Sequence, residues 1–190
     1  MNFLVIGSGA REHIISEKLV QAGVEVYSVL TNKNPGLIKL SQNTLLVDNY
    51  ANSKSKIVDF SLTNEIDCAV IGPEDPLAQG FADILWKKDI PVVGPIRILA
   101  QIETSKGFTR DLLKKYDINS SPNYKRFNSM NGVVDFINYL SGDYVIKFDG
   151  LMGGKGVKVS DEHLHSAEEG LNYCKDLIDN QGTFVIEEKL

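Results

Sequence analysis

A chain of 190 residues, 43% hydrophobic and 24% charged, can build one large domain or two small ones without disulfides. Its formal charge of -5 and pI near 5.2 exclude general nucleic-acid binding through a basic stripe, but allow a lysine-lined site for a small phosphate compound. Cys68 and Cys174 have no Cys or His at metal-ligand spacing and read as reduced, buried thiols, and no Ser/His/Asp arrangement is readable. The apolar stretch after Met1 is too short for a signal peptide and no run approaches a membrane span, so a soluble cytoplasmic protein is expected.

"NFLVIG" predicts a short buried strand ending in a glycine turn. "REHIISEKLVQAG" has helical spacing with Gly23 as its stop, and "VEVYSVL" is the next strand. The unit returns as "KSKIVDFSLTNEI" (helix), "DCAVIGPE" (strand and turn), "PLAQGFADILWKKD" (one helix with Pro76 near its start) and "IPVVGP" (strand). Strands alternating with helices to about Pro95 imply a parallel sheet covered by helices. The order then changes. "IRILAQIETSKGFTRDLLKKYDI" offers two consecutive helices, followed by the strand "NYKRF", the helix "NGVVDFINYLS" and a hairpin. An amphipathic helix in "DEHLHSAEEGLNYCKDLIDN" and a final strand "TFVIEEKL" complete the chain. This second half suits an antiparallel sheet with helices on one side, and the domains are placed at 1–103 and 104–190. The chain stops at Leu190 directly after an apolar strand, which suggests a fragment.

Four segments carry chemistry. In "GSGARE", Gly7 and Gly9 allow a tight turn before a helix N-terminus that faces an anion. Glu12 occupies the third glycine position of a dinucleotide fingerprint, and the second strand ends in Thr31 and Asn32 rather than an acid, so NAD is disfavoured. Arg11 suits a phosphate monoester, with a structural turn and solvated arginine as the alternative. "GPEDPL" ends another parallel strand, where ligands bind in open α/β sheets. Its stiffened Glu74 and Asp75 can accept from sugar hydroxyls or an amine, or simply favour a helix N-terminus.

"KFDGLMGGKGVKV" resembles a phosphate loop, but Gly156 follows Lys155 and a strand follows in place of a helix. It reads as a hairpin flap able to close over a polyphosphate, or as an ordinary hairpin with a flexible tip. Lys147 interrupts an apolar strand on the face of Val145 and Asp149, so it needs an anionic partner: a phosphate or Asp149. Lys106 in "TSKGF" alone reads as solvated. In "VIEEKL", Glu187 and Glu188 point to opposite faces, which disfavours a catalytic pair. One of them can hold ribose hydroxyls, or both can be an exposed strand end. His13 can assist an anion site, whereas His163 and His165 read as surface residues.

Taken in order, "VIGSGAREH", "GPEDPLAQG", "VVGP", "ETSKGFTRDLLKKYDI", "YVIKFDGLMGGKGVKV" and "FVIEEKL" resemble the N-terminal portion of the phosphoribosylamine-glycine ligase (glycinamide ribonucleotide synthetase) family across the whole chain. The resemblance implies an α/β fold: a Rossmann-like pre-ATP-grasp domain followed by the first part of an ATP-grasp α+β domain. It implies ligation of glycine to phosphoribosylamine, driven by ATP through a glycyl phosphate. It assigns Lys106, Lys147 and the lid residues Gly150, Gly153, Gly154, Lys155 and Gly156 to ATP, with Glu187, Glu188 and Leu190 beside the adenosine. It assigns Gly7, Ser8, Gly9, Arg11, Glu12, Glu74 and Asp75 to phosphoribosylamine. Mg2+ or Mn2+ would accompany ATP, with ligands beyond residue 190, so the chain alone is expected to be inactive. Ala10, Phe148 and Met152 depart from the family's small residues, and Phe148 would narrow the space beside the nucleotide. Another ATP-grasp ligase or carboxylase, or a non-enzymatic nucleotide-binding module, remains the alternative.

Overall fold

The computed structural model describes residues 1–153, 155–180 and 182–190, and they divide into two compact units, Met1–Ala100 and Gln101–Leu190. In the first, β1 (Asn2–Ile6), α1 (Ala10–Gln21), β2 (Glu25–Leu30), α2 (Pro35–Leu40), β3 (Asn43–Leu46), α3 (Lys54–Thr63), β4 (Cys68–Ile71), α4 (Glu74–Ala78), α5 (Phe81–Trp86) and β5 (Val92–Val93) follow in order. The strands form a parallel sheet in the order β3-β2-β1-β4-β5. β1 is continuous apolar sequence because it lies between two strands and is covered on both faces; Leu4, Val5 and Ile6 are fully buried. Leu4 and Ile6 join Val29, Ile57, Phe81 and Leu85 in the core. From β1 the chain moves outward to β2 and β3, then crosses back to β4 on the other side. β1 and β4 stay paired to their last residues, Ile6 and Ile71, but the connections that leave them run to opposite sides of the sheet, the place where doubly wound sheets hold ligands.

Two details depart from the sequence reading. The helix expected in "PLAQGFADILWKKD" is divided into α4 and α5, because Gly80 adopts φ +80° and turns the chain between them. The segment after β2 forms α2 and β3. Asn34 caps α2, its Oδ1 accepting from Gly36 N at 3.0 Å and Leu37 N at 3.2 Å, and Pro35 supplies a pre-set first helical residue.

The second sheet belongs to Gln101–Leu190. α6 (Arg97–Thr104) precedes α7 (Lys106–Lys115), β6 (Tyr124–Phe127), α8 (Val133–Tyr139), β7 (Tyr144–Phe148), β8 (Val157–Val159), α9 (Ala167–Asp179) and β9 (Phe184–Glu188). The strand order is β6-β9-β7-β8, antiparallel throughout. Paired residues share a face, so Phe127, Ile146, Phe184 and Ile186 pack together against Val133 and Ile137 of α8 and Cys174 and Leu177 of α9. The opposite face carries Arg126, Val185 and Lys147 in one row and Tyr124, Glu187 and Val145 in the next. α7 lies over that face, bound to it by charged groups, so the sheet has helices on both sides rather than the one expected. Among the described residues no helix is long and apolar enough to cross a membrane.

Burial pushes the Cys174 thiol up to about 12. In a timed thiol-reagent assay Cys174 will stay unreactive in the folded chain and titrate only after denaturation. Gly170 of α9 offers a sharper test, because a Cβ there would overlap the hydroxyl of the buried Tyr144. Gly→Ala in an open helix interior stabilises by up to about 1 kcal/mol. Here Gly170→Ala will instead destabilise by about 1–3 kcal/mol in urea unfolding, since the added methyl must displace the buried Tyr144 ring.

Candidate functional site

The crevice of the first unit is built by the β1–α1 and β4–α4 turns, and Glu12 joins them. Its carboxylate is buried at 4% exposure. Gly9 N donates to Glu12 Oε2 at 2.7 Å, so the side chain reaches back to cap its own helix. A Cβ at Gly7 would stand 2.6 Å from Glu12 Cγ and 2.8 Å from Pro73 Cδ, and one at Gly72 would overlap Glu12 Oε1. Gly7 also holds φ +134°. Both glycines are therefore required by the close approach of the Glu12 side chain. Arg11 Nη1 donates to the Gly72 carbonyl at 2.7 Å, so this guanidinium links the same two turns rather than standing free in solvent.

The end of β2 closes a third side. Ser8 Oγ accepts from Thr31 N at 2.8 Å and Asn32 N at 3.3 Å, and Asn34 Nδ2 donates to the Ser8 carbonyl at 3.0 Å. Glu74 and Asp75 occupy the first turn of α4. Burial pushes the Tyr50 phenol above its ordinary value. Hydrogen bonding with Thr31 opposes this, whereas the Glu12 and Asp75 carboxylates add to it. Tyr50 packs edge-on against Phe81 in the core, and no local pattern in "DNYANS" distinguishes it. His13 packs against Gly36 of α2 instead of facing an anion site.

In the second unit Lys147, Glu187 and the start of α7 converge. Glu187 is buried at 3% exposure, on the sheet face away from the apolar core. Its Oε1 accepts from Lys147 Nζ, and its Oε2 accepts from Arg110 Nε and Nη2, each at 3.0 Å. The anionic partner of Lys147 is therefore Glu187 on the neighbouring strand. Asp149 is engaged elsewhere: its Oδ1 accepts from Ser105 Oγ at 2.9 Å and Gly107 N at 3.1 Å, and its Oδ2 from Arg126 Nη2 at 3.2 Å. That carboxylate fixes the N-terminus of α7, where negative charge is favoured. Lys106 Nζ donates to the Gly150 carbonyl at 3.0 Å, so this lysine reaches the start of the flap instead of open solvent.

Lys106, Arg110, Arg126 and Lys147 against Asp111, Asp149 and Glu187 leave one positive charge in excess on this face. Burial lowers the Lys147 ammonium below its ordinary value, and the nearby Arg110 and Lys106 charges add to the shift. An approaching polyanion would favour the charged form.

The remaining flap residues vary in placement. Gly153 adopts φ +54°, Lys155 is exposed, and Gly154 lies outside the described residues. Gly156 is buried, its carbonyl accepting from Phe148 N at 2.8 Å. Phe148 does not share the Lys147 face: its ring packs with the apolar core below α9, where Cβ atoms at Gly150 and Gly182 would stand 2.5 and 2.9 Å from it. Glu188 turns to the sheet edge and accepts from Asn123 N at 3.0 Å and Asn123 Nδ2 at 2.7 Å, while Leu190 is 98% exposed. Arg110 was not singled out from sequence. Its spacing of four from Lys106, one helical turn, was the available signal.

The phosphoribosylglycinamide synthetase N domain model matches residues 1–103, and the phosphoribosylglycinamide synthetase ATP-grasp (A) domain model matches residues 104–190. The phosphoribosylamine-glycine ligase of Methanococcus maripaludis is 43% identical over 100% of this chain and 44% of its own length. That of Methanobrevibacter smithii is 41% identical with the same coverages. The crystal structure of the Thermotoga maritima phosphoribosylamine-glycine ligase superposes with a TM-score of 0.75 at 27% identity, over 100% of this chain and 44% of that one. An N5-carboxyaminoimidazole synthetase from Staphylococcus aureus complexed with ADP gives a TM-score of 0.79 at 14% identity, over 100% and 47%, a likeness of fold alone. The chain spans under half the length of the curated relatives it matches. Since the two models together account for residues 1–190, it belongs to the phosphoribosylglycinamide synthetase family.

Proposed function

We propose that this chain supplies the amine-substrate crevice and the phosphate-binding face of an enzyme that joins glycine to 5-phosphoribosylamine, giving glycinamide ribonucleotide, ADP and phosphate. The observation that carries the nucleotide part is the convergence of Lys106, Lys147 and the flap at one edge of an antiparallel sheet face with surplus positive charge. ATP phosphates would take Lys147 and Lys106, and Gly150, Gly153, Gly154, Lys155 and Gly156 would form the lid. Glu187, Glu188 and Leu190 would lie beside the adenosine. Cationic groups positioned on the transferring phosphoryl supply the stabilisation that phosphoryl transfer needs. Glycine's carboxylate would take the γ-phosphoryl, and the amine of phosphoribosylamine would displace phosphate from the acyl carbon.

The first unit would hold phosphoribosylamine in the crevice between β1 and β4. Its phosphate would meet the Gly7, Ser8 and Gly9 turn and Arg11, while Glu12, Glu74 and Asp75 face the sugar and amine. A divalent metal, Mg2+ or Mn2+, would accompany ATP and neutralise its phosphates. Among the described residues no three His, Cys, Asp or Glu side chains are grouped to hold such an ion. The proposed setting is the cytoplasm, where these small-molecule substrates occur together.

Calorimetric titration of MgATP into the 190-residue chain tests the nucleotide site. Lys147→Ala and Lys106→Ala will each weaken binding by about tenfold or more, as expected for losing a charged partner of phosphate. Arg11→Ala will leave MgATP affinity unchanged and weaken glycinamide ribonucleotide binding. Absence of MgATP binding, or unchanged affinity in both lysine variants, would overturn the nucleotide assignment.

A further inference from the structure

We propose that Arg110 is a positioning residue for the nucleotide site: by holding Glu187 Oε2 it directs Oε1 to Lys147 and keeps that carboxylate from neutralising the face. Arg110 Nε and Nη2 both donate to the same oxygen at 3.0 Å, leaving the other to Lys147. This shared use matters because Glu187 is buried and cannot be satisfied by water. With one cation it would form a closed ion pair; with two it leaves one positive charge in excess at the start of the flap. Arg110 lies one helical turn from Lys106, so the same rigid helix presents both groups.

The groups facing Lys147 set the sign of the test. α7 contributes Arg110 and Lys106, β9 contributes Glu187, β6 contributes Arg126 and Tyr124, and Asp149 lies just beyond the end of β7. Val157, opposite on β8, is apolar. Arg126 and Asp149 bind each other at 3.2 Å, and Tyr124 donates to Asp111 at 2.9 Å, so these partners are already committed. Removing Arg110 takes away a neighbouring cation and releases Glu187 Oε2 to Lys147. Both changes favour the ammonium form, so the Lys147 titration midpoint must rise. Phosphate must then compete with an undivided carboxylate, so affinity for polyphosphate must fall.

Lysine-selective 15N and 13C NMR titration of the whole chain reads the first effect without any ligand, and calorimetry with MgADP reads the second. Arg110→Met is expected to raise the Lys147 midpoint and weaken MgADP by about tenfold. Arg110→Lys will largely restore both. Asp111→Asn loosens the same helix by breaking its 2.7 Å pair with Arg126 but does not touch Glu187; it should leave the midpoint in place. In a Glu187→Gln background, Arg110→Met should lose most of its effect on MgADP. An unchanged midpoint in Arg110→Met, or an equal shift in Asp111→Asn, would overturn the proposal. The proposal rests on Lys147 as a phosphate ligand, and the two ideas fail separately. If Lys147→Met leaves MgADP affinity unchanged, the nucleotide reading falls, while the ligand-free titration still decides the role of Arg110.

Discussion

One buried carboxylate organises the second unit. Glu187 stands on a central strand, flanked by β6 and β7, and takes a lysine from the strand beside it and an arginine from the helix above. Left bare at that depth, the carboxylate would cost several kcal/mol, so each cation is held where the chain places it. The consequence is a fixed relation among α7, β7 and β9 that does not depend on apolar packing. The flap begins where this fixed frame ends, at Gly150, whose carbonyl is held by Lys106.

The two faces of the sheet use different physics. Under α8 and α9 the packing is mainly aromatic and aliphatic, and Phe127 and Phe184 stack with centroids 5.5 Å apart. Under α7, Arg126 bridges Asp111 and Asp149, and Arg110 binds Glu187. Partly exposed ion pairs are weakened by salt screening, whereas apolar packing is not. A sheet with one side packed and the other charged can maintain its shape while ligands exchange on the charged side. The first unit is built differently: its central strand β1 is covered on both faces, and its buried Glu12 carboxylate and Arg11 lie at the turns at one end.

Much of this was legible in the sequence because local pattern and tertiary role agree. The β1 run is apolar throughout since it is central, and the change from alternating elements to a hairpin marks the passage from parallel to antiparallel pairing. Lys147 stood out because a charge in an apolar strand must be compensated. What could not be read was the identity of its partner. Asp149 lies on the same strand face and was the nearer candidate in sequence, but Glu187 reaches Lys147 from a neighbouring strand that only the fold brings alongside. The displaced Asp149 then serves as the anchor of α7, a role set by Ser105 and Gly107 far upstream. Phe148 lies on the face away from Lys147, as alternation along the strand requires. The glycines beside it make room for an aromatic ring in the core rather than crowding a ligand.

The Glu12 wedge between the two crevice turns also constrains how such a sequence can change over time. Gly7 and Gly72 lack side chains because the Glu12 carboxylate occupies the volume a Cβ would need. A residue with any side chain cannot enter at position 72 while Glu12 is present. If Glu12 shortens first, the Gly9 amide loses its acceptor and the helix its cap. The three positions are therefore coupled in order as well as in identity. A larger residue at position 72 therefore comes only with a displaced Glu12 and a loosened α1 cap.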